Sequence, residues 1–288
     1  MTLTAGPGED RLPDLVHRLA ARLPLSGAPD WLSSGGACDL PLAEIGEAEA
    51  MARETIADAP IDVLVQPAAG RRKRLLVADL ESTIIENEML DELADFVGLR
   101  TRVADITRRA MNGELDFAAA LAERVALLKG LPATVLDEAA VRIRLMPGAR
   151  ALLATLHAAG VETALVSGGF TMFAERIAAE LRFDRIVANR LDIIDGHIAG
   201  TVAEPIVTRD TKRDTLLNLA RELDLSLSAT LAVGDGANDL PMLETAGLGV
   251  AFHAKPAVAA AARWRIDHAD LTALLYAQGY RAAEIIAR

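Results

Sequence analysis

Leu75-Leu76-Val77-Ala78 is an uninterrupted apolar run that stops on a carboxylate, Asp79. A strand that is apolar at every residue has to be covered on both faces, as central strands of parallel sheets are. Further strand-type runs follow at 161–166, 186–188, 230–234, 248–252 and 264–267. Helix-type segments lie between them at 149–159, 171–181, 211–223, 239–246 and 256–262. Strands alternating with helices predict an α/β fold, with one parallel sheet and helices on both faces. Residues 191–203 read as a hairpin, with Asp195-Gly196 as its turn.

The expected core is therefore Rossmann-like. Its first strand is followed by a long stretch, 87–145, rich in Ala, Leu, Glu and Arg, with breaks near Gly113 and at Gly130-Leu131-Pro132. That stretch reads as about four helices, an inserted helical cap over one edge of the sheet. Residues 69–288 would form this capped domain, and 1–68 a small N-terminal α+β domain. In the latter, 1–10 look loose, 26–42 are turn-rich, and helices are expected at 11–23 and 44–58 with a strand at Ile61–Val65. No first strand is visible, and the region looks short for a full βαββαβ unit.

Composition narrows the partners. Half of the 288 residues are apolar (51%), which calls for a packed core. A net charge of −11 with 3% aromatics argues against nucleic acid. The basic run Arg71-Arg72-Lys73-Arg74 reads as a solvated linker before a buried strand. Cys38 is the single cysteine, so no internal disulfide is expected. No secretory leader or membrane-length apolar run is visible, and the expected place is the cytoplasm, with no membrane partner.

In open parallel sheets, ligands bind beyond the carboxyl ends of the strands. Three expected strands end in polar clusters: Asp79-Leu80-Glu81-Ser82-Thr83, Ser167-Gly168-Gly169, and Gly234-Asp235-Gly236-Ala237-Asn238-Asp239. Lys212 opens the helix before the last of them. Taken alone, Asp-x-Glu is an ordinary turn and Ser-Gly-Gly is weaker still. Gly-Asp-Gly-Ala-Asn-Asp is more specific, because such a cluster has little use in packing. Together and in this order they suit phosphoryl transfer. Asp79 is a nucleophile that divides one displacement into two steps. The carboxylates form an oxygen-rich site for Mg²⁺. Ser167, the Gly168 amide and Lys212 hold phosphoryl oxygens. Glu81 is placed to give and take the proton.

These residues resemble those of bacterial phosphoserine phosphatases of the haloacid-dehalogenase (HAD) superfamily, over about residues 68–280. The resemblance rests on the stretch around Asp79, the cap, Leu165 to Phe170, Lys212, and Val233 to Asp239. It implies that Asp79, the Glu81 main-chain carbonyl and Asp235 ligate Mg²⁺, with Asp239 behind them. It also implies phosphate contacts from Ser167, Gly168, Lys212 and Asn238. In the cap and its hinge, Glu88, Met111, Phe117 and Arg124 match the family's substrate positions in type and spacing. Glu88 would pair with the ammonium of O-phosphoserine and Arg124 with its carboxylate. Met111 and Phe117 would form an apolar lid.

One position departs from the family pattern. Most members carry Asp where this chain has Glu81. The phosphoserine:homoserine phosphotransferases resemble the chain in having Asp-Leu-Glu, which raises transfer to an alcohol as a rival, although Ser82-Thr83 looks like the hydrolase form. A phosphoserine-binding sensor disabled by Glu81 is a third reading. The N-terminal region resembles an ACT-like remnant, and a homodimer contact suits it as well as ligand sensing.

Overall fold

The computed structural model describes residues 1–111 and 114–287. The N-terminal unit runs β1 (Thr2–Ala5), α1 (Leu12–Ala20), β2 (Asp30–Ser33), β3 (Ala37–Asp39), α2 (Ala48–Ile56), β4 (Ile61–Leu64). Its sheet has the order β2-β3-β1-β4, with every pair antiparallel. This is a complete βαββαβ unit, against the expectation of a loose start and a turn-rich 26–42. The first strand was hidden because threonines occupy one face. Leu3 joins the apolar cluster of Leu15, Leu19, Cys38 and Val63, whereas Thr2 is buried on the other side and its Oγ1 donates to Asp39 Oδ1 at 2.6 Å. Strands β2 and β3 are only four and three residues long, so the Ser34-Gly35-Gly36 turn between them dominates the local composition.

The core continues with β5 (Leu75–Ala78), cap helices α3 (Met89–Asp95), α4 (Arg100–Met111), α5 (Phe117–Ala126) and α6 (Thr134–Ala140), then α7 (Ala149–Ala158), β6 (Glu162–Phe170), α8 (Thr171–Leu181) and β7 (Arg185–Asn189). The hairpin β8 (Leu191–Ile194) and β9 (His197–Val202) follows, then α9 (Arg209–Glu222), β10 (Thr230–Gly234), α10 (Leu240–Thr245), β11 (Leu248–Phe252), α11 (Pro256–Ala261), β12 (Trp264–Ile266) and α12 (Ala273–Ala277). The six core strands are parallel, in the order β12-β11-β10-β5-β6-β7. Side chains alternate across the sheet as the strand period of two requires. Leu76 and Ala78 pack with Leu152, Leu156 and Ile177 on one face. Leu75 and Val77 pack with Leu216, Leu219 and Met242 on the other.

From β5 the chain moves outward through β6 and β7, then returns to β10 on the opposite side of β5. The carboxyl ends of β5 and β10 therefore flank the topological switch point, where open α/β sheets form their crevice. The hairpin turn has Asp195 at φ 49° and Gly196 at φ 73°, the left-handed pair that a type I′ turn needs.

Two boundaries that bear on the polar clusters, and one helix, differ from expectation. Strand β6 runs on to Phe170, past a bulge between Ser167 and Phe170, so Ser167-Gly168-Gly169 lies inside the strand instead of after it. Helix α9 starts at Arg209, capped by the reciprocal Thr208–Thr211 hydroxyl contacts, which puts Lys212 at the end of its first turn. Helix α12 was not foreseen.

The N-terminal unit is tied to the core by polar contacts. Asp62 accepts backbone hydrogen bonds from Asp267 at 2.7 Å, His268 at 3.2 Å and Ala269 at 2.8 Å. Trp264 Nε1 donates to the Val65 carbonyl at 2.7 Å.

Candidate active site

Asp79 is the first residue beyond β5, and its amide donates to the Val233 carbonyl at 3.0 Å, extending the pairing with β10. Its side chain is buried. Lys212 Nζ, also buried, donates to Asp79 Oδ1 and to Asp239 Oδ1, each at 2.6 Å. The other Asp239 oxygen accepts from the Gly236 amide at 3.0 Å. Gly234 makes this packing feasible, because a Cβ there would lie 2.4 Å from Asp239 Cγ. Burial and the neighbouring Asp239 charge push the Asp79 carboxyl up to about 7, against the pull of Lys212. Burial disfavours the Lys212 ammonium, yet Asp239 and Asp79 hold its pKa above the ordinary value.

Asp79, Asp235 and Asp239 each bring a carboxylate oxygen within 4.8 Å of the others. Both Asp235 oxygens are buried and accept no hydrogen bond among the described residues. Lys255 Nζ stands 3.0 Å from Oδ2 as a counter-charge. Burial, then the Glu88 charge, push the Asp235 carboxyl well above the usual range. Such a group is stabilised when a cation neutralises it, and an all-oxygen donor set suits a hard divalent ion. The residues present therefore fit a metal. Asp239, with both oxygens already engaged, is the least free of the three to ligate it.

Glu81 leans over the bulged end of β6. A Cβ on Gly169 would come within 2.9 Å of Glu81 Oε1, so the glycine leaves room for the longer acid. Oε1 accepts from the Met89 amide at the start of α3, at 2.9 Å. Burial and the nearby Glu88 raise the Glu81 carboxyl well above its ordinary pKa. Ser82, at a left-handed φ of 54°, donates its hydroxyl to Glu88 Oε1 at 2.6 Å. Arg124 is buried in the cap, its Nε on the Ala120 carbonyl at 3.0 Å and its Nη1 on Thr107 Oγ1 at 2.8 Å.

One cavity is lined by Asp79, Glu81, Arg124, Gly168, Gly169 and Asn238, with Leu90, Leu121 and Phe170 as its apolar wall. Ser167 Oγ accepts from the Gly169 amide at 2.9 Å, and Asn238 Oδ1 is buried without a partner among the described residues. Glu88 does not line this cavity, and its carboxylate accepts from the Ser82 hydroxyl. The expected substrate positions Met111 and Phe117 end α4 and begin α5, and their side chains lie outside the described residues.

Several supporting residues were not foreseen. Buried Asn189, at the end of β7, donates to the Gly168 carbonyl at 2.7 Å and accepts from the Val207 amide at 2.7 Å. It thereby links the bulge carrying Gly168 to the segment that enters the Lys212 helix. An Asn at a strand end reads as a turn residue, so sequence carries no signal for this. Thr107 and Lys255 were missed because each acts through a contact with a residue in another element.

This parallel sheet, with its capped crevice and Asp79–Lys212–Asp239 triad, defines a class. The family model for haloacid dehalogenase-like hydrolases matches residues 76–244, and the chain belongs to that family. Its relatives narrow the comparison. The phosphoserine phosphatase of Lactococcus lactis subsp. lactis (strain IL1403) is 48% identical over 203 residues, 70% of this chain and 94% of that protein. A solved phospho-aspartyl intermediate analogue of phosphoserine phosphatase superposes with a TM-score of 0.69 at 38% identity, covering 71% of this chain and 98% of the other. A HAD family hydrolase from Salmonella enterica subsp. enterica serovar Typhi reaches a TM-score of 0.82 at 31% identity, over 96% of both chains. No helix among the described residues is long and apolar enough to cross a membrane.

Proposed function

We propose that this enzyme is a phosphoserine phosphatase that hydrolyses O-phospho-L-serine through an aspartyl-phosphate on Asp79. The observation that carries the reading is the shared cavity, where Asp79 and Glu81 from the loop after β5 meet Arg124 from the cap. Resemblance to phosphoserine phosphatases supports the substrate.

Lys212 favours the ionised form of Asp79, opposing the burial and the Asp239 charge that lift its carboxyl to about 7. An Asp79 oxygen attacks phosphorus as the bond to the serine oxygen breaks. Glu81, whose carboxyl burial and Glu88 lift well above its ordinary pKa, gives its proton to the departing alkoxide. Water then attacks the aspartyl-phosphate, Glu81 takes its proton, and the bond to Asp79 breaks to release phosphate. Lys212, Ser167 and the Gly168 amide stabilise the shifting charge on the phosphoryl oxygens, with Asn238 beside them. Glu88 pairs with the substrate ammonium and Arg124 with its carboxylate. Asp79, the Glu81 carbonyl and Asp235 would hold Mg²⁺, with Asp239 behind. The ion would offset repulsion between phosphate and the Asp79 carboxylate. A cytoplasmic setting belongs to the same reading, supported by a lone thiol, Cys38, that is buried and unpaired.

The test is phosphate release from O-phospho-L-serine with Mg²⁺ or with EDTA. The parent should turn over only with the metal, and Asp79→Asn should lose at least about 10³-fold. Glu81→Asp should retain activity. Binding of phosphoserine without phosphate release would make the chain a sensor. Phosphohomoserine appearing when homoserine is added would make it a transferase.

A further inference from the structure

Arg124 uses two of its five N–H groups inside the cap: Nε on the Ala120 carbonyl and Nη1 on Thr107 Oγ1. Its Nη2 amino group makes no hydrogen bond among the described residues, and the side chain lines the cavity that also holds Asp79 and Glu81. Thr107 is itself buried on α4 and does not line that cavity. Its hydroxyl accepts from Arg124 at 2.8 Å and can donate its single proton to Asp91 Oδ1 or to the Val103 carbonyl, both at 3.0 Å. The line Asp91–Thr107–Arg124 therefore joins α3, α4 and α5 through one oxygen atom. With a carboxylate at one end and a guanidinium at the other, each bond polarises the next.

We propose that Thr107 is a positioning residue that sets selectivity for a carboxylate-bearing substrate, by holding the Arg124 fork in one orientation over the cavity. The inference rests on the reading that Arg124 receives the substrate carboxylate. A guanidinium grips a carboxylate through a fixed fork, so small rotations cost one of the two bonds. Thr107 has the geometry to prevent that rotation, since Nε and Nη1 are both anchored while Nη2 makes no hydrogen bond among the described residues.

The experiment compares the parent, Thr107→Val, Thr107→Ser and Arg124→Ala on O-phospho-L-serine and on O-phosphoethanolamine, which keeps the amine and the phosphoester but lacks the carboxylate. The same two compounds are also titrated as ligands into the Asp79→Asn background. Thr107→Val should raise KM for phosphoserine about 10-fold, with kcat within about 3-fold, as expected for one lost bond to a charged group. It should weaken phosphoserine binding by a similar factor and leave phosphoethanolamine unchanged. Thr107→Ser, which keeps the hydroxyl, should restore the parent values. Equal losses on both compounds would mark Thr107 as merely structural, and an unchanged phosphoserine KM would also overturn the proposal. If Arg124→Ala discriminates between the compounds and Thr107→Val does not, positioning fails while the Arg124 reading stands. If Arg124→Ala does not discriminate, the Arg124 reading fails and the proposal falls with it.

Discussion

Lys212 Nζ and Asp79 Oδ1 are separated by 133 residues in sequence and by 2.6 Å in space. The ammonium also holds Asp239, so one buried cation serves two buried carboxylates. Removing one partner from a buried ion pair leaves charge uncompensated and costs about 3–5 kcal/mol. Lys212→Met should lower unfolding stability by that order in EDTA and by less with a divalent cation present. It should also slow phosphate release by about 10²–10³-fold. Denaturant unfolding with and without metal, beside steady-state kinetics, checks both. Unchanged stability in EDTA would mean the carboxylates do not need this cation.

Asn189 ties the Gly168 carbonyl to the Val207 amide. Asn189→Leu keeps the bulk and deletes both bonds, leaving two polar groups unpaired at about 1–3 kcal/mol each. A loss of about 2–4 kcal/mol is expected, with kcat/KM falling about 10-fold as the Gly168 peptide drifts. Chemical denaturation and phosphate release measure the two effects. A stable variant with parental kinetics would show that the bridge is dispensable.

Asp91 titrates at about 6 in the folded protein, raised by burial and then by Glu88. The unfolded carboxyl titrates near about 3.9. Between these values the folded state binds the proton more tightly, so its stability contribution declines as pH rises through the window. Above about 6 the penalty is complete. Asp91→Asn, which can still accept from Thr107, should raise stability at pH 7–8 by about 1 kcal/mol after discounting for solvent at this partly exposed group. The gain should vanish near pH 4. Thermal melts across that range decide it, and a gain of the same size at pH 4 would count against the argument.

Asp62 caps three consecutive amides of the core. Asp62→Ala should lower stability by about 2 kcal/mol or more. It should also speed hydrogen exchange at residues 267–269 and proteolysis of the connecting segment around Gln66 to Arg72. Protection equal to the parent's would show that other contacts, such as Trp264 on the Val65 carbonyl, hold the N-terminal unit alone.

Much of the site was legible in the chain itself, because strand ends in a parallel sheet carry its chemistry. Asp79, Gly168 and Asn238 could be placed from the apolar runs before them, and all three line one cavity. Arg124 was legible only through the family resemblance, whose substrate positions it matches in type and in spacing from Asp79. In the N-terminal unit α1, α2 and β4 were legible but β1 was not, since Thr2–Ala5 puts threonines on a buried polar interface and shows little apolar signal.

The sequence by itself determined the alternation of strands and helices and the order of the polar clusters at the strand ends, because periodicity and residue chemistry are local properties. The tertiary structure alone decided which distant groups touch. It placed Lys212 between two carboxylates, laid Glu81 over Gly169, and set Thr107 behind Arg124. These contacts cross elements whose packing depends on the whole core, and a hydrogen bond of about 3 Å has no signature in the spacing of residues along a chain.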